Sequence, residues 1–174
     1  VSRDWSSDVC SSDLSEKRMS GTNANRGKPF ETTVEAMNAL YAARGACYVR
    51  FPTPYKVIGR TRAGLSVVPE RKGQPDYLVS WRNLDVVADA KSTTAARWAL
   101  SNLEAHQAEF FDAWARTGDR HRAGIILSLH PPGGGQSVWW VDWSQLGPIW
   151  RRWNSGHAQT GEASLSLAWL EEHA

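Results

Sequence analysis

Two strand-like segments joined by a short turn constrain the fold of this chain most strongly. Asp76–Ser80 and Leu84–Lys91 are rich in apolar and β-branched residues, and the dipeptide Arg82-Asn83 separates them. An antiparallel hairpin that turns at this dipeptide places Asp76 directly opposite Asp89. Directly opposed side chains have Cβ atoms about 4.5–5.5 Å apart, and like charges at that separation destabilise a sheet. The sequence therefore predicts two carboxylates in contact on an otherwise apolar hairpin.

A lysine completes this group, because Lys91 follows Asp89 by two residues and lies on the same face of the strand. Two close carboxylates can share Mg²⁺, which would activate a water molecule and stabilise charge on a phosphodiester. Lys91 would orient or deprotonate that water, or neutralise the phosphate. An Asp–Lys–Asp salt-bridge ladder on an exposed strand has the same sequence. The hairpin alone leaves both interpretations open.

Hydrophobic periodicity predicts the remaining elements. The first expected helix begins at Asn25 and ends at Gly45, with an apolar stripe of Phe30, Val34, Met37 and Tyr41. A second helix is expected over Leu100–Thr117. A third is expected to be capped by Ser144 and to end near Trp153, and a last one lies near Ala163–Glu172. The other expected strands are Ala46–Phe51, Ala123–Leu129 and Ser137–Asp142. The resulting order α-β-β-β-α-β-β-α predicts a single α/β domain with a mixed central β-sheet flanked by helices.

Composition excludes several classes of protein. The chain has 174 residues and a net charge of +2, which permits a nucleic-acid partner without requiring one. No apolar run approaches the roughly 20 residues that cross a membrane. Cys10 and Cys47 lack metal-ligand spacing, so a reduced, cytoplasmic setting is expected. Residues 1–18 are rich in serine and aspartate and are expected to be a disordered, non-native leader, with the folded domain over 19–174.

Two further polar residues are candidates for the same site. Glu31 lies near the start of the first helix, where an acid also suits the helix dipole. Gln107 falls on the apolar face of the second helix beside Leu103 and Phe111. A buried amide without a hydrogen-bond partner costs roughly 1–3 kcal/mol. Gln107 is therefore expected to bond either to the active-site lysine or a metal-bound water, or to the backbone.

A basic stretch lies between the first strand and the hairpin. Tyr55–Pro69 is interrupted by glycine and is predicted to form a protruding β-hairpin. Lysines and arginines here and before the first helix suit phosphate contacts, although a solvated loop has the same composition. The candidate DNA-binding residues are Arg26, Lys28, Lys56, Arg60, Arg62, Arg71 and Lys72.

Several motifs resemble a known nuclease family. Pro75-Asp76 followed by Asp89-Ala90-Lys91 reproduces the PD-(D/E)xK pattern of restriction-type nucleases. In order and with similar gaps, the chain resembles the RecU family of bacterial Holliday-junction resolvases. The matching segments are Asn25-Arg26-Gly27 with Glu31, Pro52-Thr53-Pro54, Asp76-Tyr77, Asp89-Ala90-Lys91 and His106-Gln107.

The resemblance implies a restriction-endonuclease-like fold and a homodimeric endonuclease, dependent on Mg²⁺ or Mn²⁺, that cuts four-way DNA junctions. It assigns Asp76, Asp89 and Lys91 to the catalytic core, with Asp76, Asp89 and Glu31 holding the metal. Gln107 would support them. It also implies a cytoplasmic, nucleoid-associated protein with a recombinase or branch-migration partner. Asp89 stands where the family usually has glutamate, and the segment that corresponds to the family's protruding stalk is shorter here, which leaves junction selectivity open.

Other functions are compatible with the same residues. A PD-(D/E)xK nuclease on ordinary duplex or flap DNA would need the same acids and lysine. A non-catalytic DNA-binding accessory factor would have no need of them. A protein-interaction module would instead expose the tryptophans of the C-terminal half, which are Trp139, Trp140, Trp143, Trp150 and Trp153.

Overall fold

The computed structural model describes residues 28–52, 55–62, 64–69, 74–157 and 163–174. The helices are α1 (Lys28–Ala42), α2 (Ala105–Ala115), α3 (Trp143–Asn154) and α4 (Leu167–His173), with a 3-10 turn at Leu100–Asn102. The strands are β1 (Cys47–Arg50), β2 (Tyr55–Thr61), β3 (Gly64–Pro69), β4 (Tyr77–Trp81), β5 (Leu84–Thr93), β6 (Arg97–Ala99), β7 (His121–Leu129), β8 (Ser137–Asp142) and β9 (Ser164–Ser166). None of the helices in these ranges has the length and apolar character needed to span a membrane. The segment 1–18 lies outside the described residues.

A five-stranded sheet in the order β1-β4-β5-β7-β8 forms the centre of the domain. β5 and β7 run parallel and the other neighbours run antiparallel, so the predicted mixed sheet flanked by helices is confirmed. The predicted hairpin register is also confirmed, because Trp81 pairs with Leu84 and Tyr77 pairs with Ala88. The basic segment forms a separate hairpin of β2 and β3, as predicted.

Helices cover both faces of the sheet. On one face, Phe30 and Val34 of α1 pack against Tyr77 and Ala88. On the other face, α2, α3 and α4 build a larger core that includes Val87. Because the adjacent residues Val87 and Ala88 face opposite layers, β5 is buried on both sides. Asp89, in the middle of this strand, therefore lies inside the protein rather than on an exposed ladder.

Four of the five tryptophans considered for an interaction surface belong to the larger core or pack against it. Trp143 and Trp150 are buried, and Trp139 and Trp153 pack against the same cluster from partly buried positions. Trp140 is partly buried against the α1 core. Such burial contributes to stability through large apolar areas and removes the basis for a protein-interaction module on these side chains.

Burial, helix bounds and helix caps differ from the sequence-based expectations where contacts between distant segments determine them. In α1 the predicted apolar stripe is buried at Phe30 and Val34, whereas Met37 is 40% exposed. α2 is shorter than predicted, since a 3-10 turn precedes it. The cap of α3 is Asp142, whose carboxylate accepts a hydrogen bond from the backbone of Ser144, so the prediction of Ser144 as the cap is wrong. The short β6–β9 ladder was not predicted.

Gly124 on β7 provides a test of the central packing. A Cβ at this position would lie 2.3 Å from the carbonyl oxygen of Val141 and 2.9 Å from the ring of Trp140. We expect Gly124→Ala to lower the free energy of unfolding by about 1–3 kcal/mol, because the strand pair would have to separate locally. Urea denaturation of this variant beside Gly135→Ala, whose position is open and whose φ is not positive, measures the effect. Equal stability of Gly124→Ala and the wild type would contradict the close packing.

Candidate active site

Asp76 and Asp89 are held together by reciprocal backbone hydrogen bonds. The backbone N–H of Asp76 donates to Oδ1 of Asp89 at 3.1 Å, and the N–H of Ala90 donates to Oδ2 of Asp76 at 2.8 Å. Asp76 precedes β4 and Asp89 lies within β5, so the hairpin register fixes their relative positions. The predicted contact between the two acids is present, and each carboxylate is anchored by the other acid's strand.

Lys91 joins this pair from the same face of β5. Its Nζ lies 3.5 Å from Oδ2 of Asp89 and donates a hydrogen bond to Oε1 of Gln107 at 3.2 Å. The contact with Asp89 is long for a hydrogen bond, so it is mainly electrostatic. The Lys91 side chain is only 19% exposed. The ammonium group therefore has a fixed place beside the carboxylates.

Gln107 connects this lysine to the start of α2. Its Oε1 also accepts a hydrogen bond from the backbone N–H of Glu104, the residue that caps the helix, at 3.1 Å. The sequence left two partners open for this amide, the active-site lysine or the backbone. The side chain makes both contacts through the same oxygen. One residue thus caps a helix and positions Lys91.

Burial dominates the electrostatics of Asp89. This residue is fully inaccessible to solvent, and burial raises its pKa to about 6 against the opposing effect of Lys91, with the Asp76 carboxylate adding to the rise. Its Oδ2 is buried with no hydrogen-bond partner among the described residues. Lys91 compensates the charge of this oxygen from 3.5 Å but makes no hydrogen bond to it, so the oxygen can still accept a further ligand. The carboxylates of Asp76 and Asp89, with one buried oxygen that has no hydrogen bond, are suitable ligands for a hard divalent ion.

Glu31 has a different partner. Its carboxylate binds the guanidinium of Arg50 at 2.5 Å, and the same guanidinium also contacts Glu35. α1 packs on the Tyr77 and Ala88 side of the sheet, whereas Asp89 is on the other side with Val87. Among the described residues no group of three or more histidines, cysteines or acids is placed to hold a metal. The metal-binding role of Glu31 therefore stays a prediction.

Arg50 was not among the residues predicted for this region. The available signal was the pair Glu31 and Glu35, which lie one helical turn apart and repel each other unless a cation lies between them. Arg50 at the end of β1 supplies that cation. Its position depends on how α1 packs against β1, which local sequence patterns do not reveal.

Only some of the candidate DNA-binding residues lie in the described part of the chain. Lys56 and Arg60 are exposed on β2, and Arg62 is exposed in the turn that follows. Lys28 is the first residue of α1, and its side chain lies outside the described part. Arg26, Arg71 and Lys72 lie outside the described residues as well.

Comparisons with known proteins give a family match and a similar solved structure. Residues 25–174 match the model of the RecU family, described as Recombination protein U. A search of curated proteins finds no match. Among solved structures, Hjc from Archaeoglobus fulgidus, a Holliday junction resolvase from an archaeal hyperthermophile, is similar with a TM-score of 0.44 and 14% identity, over 84% of this chain and 93% of that one. Because the family match covers most of the chain, this protein belongs to the RecU family of Holliday junction resolvases, which act in recombination.

Proposed function

We propose that this protein resolves four-way DNA junctions by metal-dependent hydrolysis of phosphodiesters, with Asp76, Asp89 and Lys91 as catalytic residues. The observation that carries this proposal is the fully buried Asp89, whose Oδ2 lacks a hydrogen bond and lies 3.5 Å from Lys91 Nζ. Structural residues are rarely left in this state, whereas catalytic sites often contain such perturbed carboxylates. We propose Asp76 and Asp89 as ligands of Mg²⁺ or Mn²⁺. Glu31 is proposed as a third acid that reaches the ion past the Asp76 side of the pair, because Arg50 interacts with both Glu31 and Asp76; it would first have to leave Arg50.

The chemistry divides between the cation and the side chains. A bound divalent ion would lower the pKa of water and offset charge on the phosphate. Lys91 presents a positive charge and N–H donors at the same place, because Gln107 and Asp89 hold its ammonium group. The backbone N–H groups of Asp76 and Ala90 keep both carboxylates oriented before substrate binds. This prior orientation lowers the cost of reaching the transition state.

The proposed biological unit is a homodimer, because two strands of a junction must be cut and each subunit has one such site. A closed twofold assembly would match the approximate twofold symmetry of a junction. We propose that it acts in the cytoplasm on the nucleoid, alongside a recombinase or branch-migration partner, and that the functional domain spans 19–174.

Cleavage of a mobile four-way junction beside a matched linear duplex tests the function. With Mg²⁺ or Mn²⁺ we expect paired, symmetric nicks on the junction alone, and none in chelator. Equal cutting of both substrates would keep the nuclease site and reject junction selectivity. Tight binding without cutting under any metal condition would favour the non-catalytic accessory factor.

The exposed cations of β2 and the following turn are proposed to contact DNA phosphates. Each phosphate contact contributes about 0.9 to the slope of log K against log salt concentration on duplex DNA. Combined replacement of Lys56, Arg60 and Arg62 by alanine should therefore make the slope shallower by about 2–3 and weaken binding to all sequences equally. Fluorescence anisotropy over a series of salt concentrations measures this slope.

A matched control removes three exposed arginines at the α2–β7 corner, Arg116, Arg120 and Arg122. We expect this control to leave the slope unchanged. If both triple variants reduce the slope equally, β2 has no special role and its cations act only through net charge.

A further inference from the structure

A polar groove lies on the α1 face of the sheet, where β5 and β7 end. The cavity has a volume of about 720 Å³ and lies beside the first turns of α1. It is lined mainly by neutral hydrogen-bonding side chains, and six of its lining residues are Thr33, Ser92, Thr94, Ser128, His130 and Gln136. None of the described lining residues is a lysine or arginine.

The register of the sheet explains why the groove is polar. Ala88 and Ala90 of β5 belong to the apolar layer beneath α1, and Ser92 is the next residue on that face. Ser92 pairs with Ser128 of β7, which follows Ile126 in the same way. A row of hydroxyl groups therefore continues the sheet where the apolar packing stops.

The floor of the groove is held by an internal hydrogen bond, and its rim is exposed to solvent. Ser128 is only 2% exposed, and its hydroxyl accepts a hydrogen bond from the amide of Gln136 at 2.9 Å. Ser92, Thr94 and His130 are exposed around it. This part-buried bond holds the amide of Gln136 against Ser128 without a ligand. The exposed rim leaves several donors accessible from solvent.

The groove is a neighbour of the candidate active site. Ser92 directly follows Lys91 in β5, and alternation along the strand directs these two side chains to opposite faces of the same sheet end. A nucleic-acid strand that passes Lys91 and continues around this end reaches the groove within a short length of backbone. Hydroxyl, amide and imidazole donors are a common means of binding phosphate and sugar oxygens without reading the bases.

We propose that this groove binds the DNA sugar–phosphate backbone next to the scissile phosphate. It holds the strand through neutral hydrogen bonds, in contrast to the charged contacts of the β2 region. The inference rests on the proposed function, since its ligand is the strand that Lys91 acts on. It adds a subsite that fixes the direction of this strand across the sheet end.

The test combines a double variant with single neutral phosphates in the DNA. Ser92→Ala/His130→Ala removes two rim donors, and Ser101→Ala/His157→Ala is the control with the same residue types at exposed positions elsewhere. Junctions with one methylphosphonate at each backbone position near the cut are bound in Ca²⁺. We expect the groove variant to bind the unmodified junction roughly tenfold more weakly, because each neutral hydrogen bond contributes modestly.

The decisive observation is the loss of sensitivity at one position. For the wild type and the control, one methylphosphonate flanking the cut should weaken binding, whereas the groove variant should bind this modified junction and the unmodified one equally. If the groove variant keeps the full sensitivity pattern, the inference is wrong while the proposed function stands. If the wild type binds no junction, the proposed function fails, and the groove assignment fails with it.

Discussion

Asp76→Asn and Lys91→Ala are each expected to reduce junction cleavage by at least about two to three orders of magnitude, while junction binding should stay within a few-fold of the wild type. Loss of one preorganised charged group in a buried site typically has an effect of this size on the chemical step. Asp76→Asn removes one of the two negative charges that a divalent ion needs. Lys91→Ala removes the cation that we propose faces the phosphate. Single-turnover cleavage with saturating protein separates the chemical step from binding.

Asp119→Asn is the matched control for the acid, because Asp119 is exposed in the turn before β7, beside the Arg82-Asn83 turn and towards the opposite end of β5 from Asp89 and Lys91. It should cut junctions like the wild type. Thermal melts of all variants establish that each is folded. Cleavage by folded Asp76→Asn or Lys91→Ala at more than about a tenth of the wild-type rate would place the active site elsewhere.

Asp89→Asn changes the pH dependence of stability in the metal-free protein. Folding raises the pKa of Asp89 from 3.8 to about 6, because burial disfavours the charged form. The folded state then holds this proton more tightly than the unfolded state, so ionisation favours unfolding. The loss of folding stability caused by ionisation of Asp89 is absent below about pH 4, develops between pH 4 and pH 6, and is complete above about pH 6. At about 1.4 kcal/mol per pKa unit it reaches about 3 kcal/mol.

Urea denaturation in chelator at pH 4 and pH 8 measures the difference. Between these values the wild type should lose about 3 kcal/mol more stability than Asp89→Asn, whatever the offset between the two proteins at pH 4. Because all other titrating groups are common to both proteins, the difference reports Asp89 together with its coupling to Asp76 and Lys91. A difference that does not change with pH would show that Asp89 titrates normally. Adding Mg²⁺ at pH 8 should stabilise the wild type more than the variant.

The core of the site was predictable because it is local in sequence. Asp76 and Asp89 lie on two strands joined by a tight turn, so alternation and turn position determine which side chains meet. Lys91 follows from the same alternation. Gln107 was identifiable as a polar residue within an apolar helical stripe. The sequence did not predict that one oxygen of Gln107 would contact both Lys91 and the backbone of Glu104, because this depends on where α2 begins relative to β5.

Features that depend on packing between distant segments were not predictable. Arg50 reaches Glu31 and Glu35 only because β1 and α1 are adjacent in the folded domain. The β6–β9 ladder has three residues in each strand, too few for a periodic pattern to be recognised. At α3 two candidate caps are two residues apart, and the choice of Asp142 depends on where β8 ends.

The position of Gln107 restricts which residues evolution can accept there. A helix start alone tolerates glutamine and glutamate equally, since either can complete a capping box. In this protein the same oxygen meets Lys91, which also faces the buried Asp89. Glutamate would add a third negative charge there, compete for the lysine and make ionisation of Asp89 still more costly. Homologues that retain this arrangement should therefore keep an uncharged amide at this position, even though their helices do not require one.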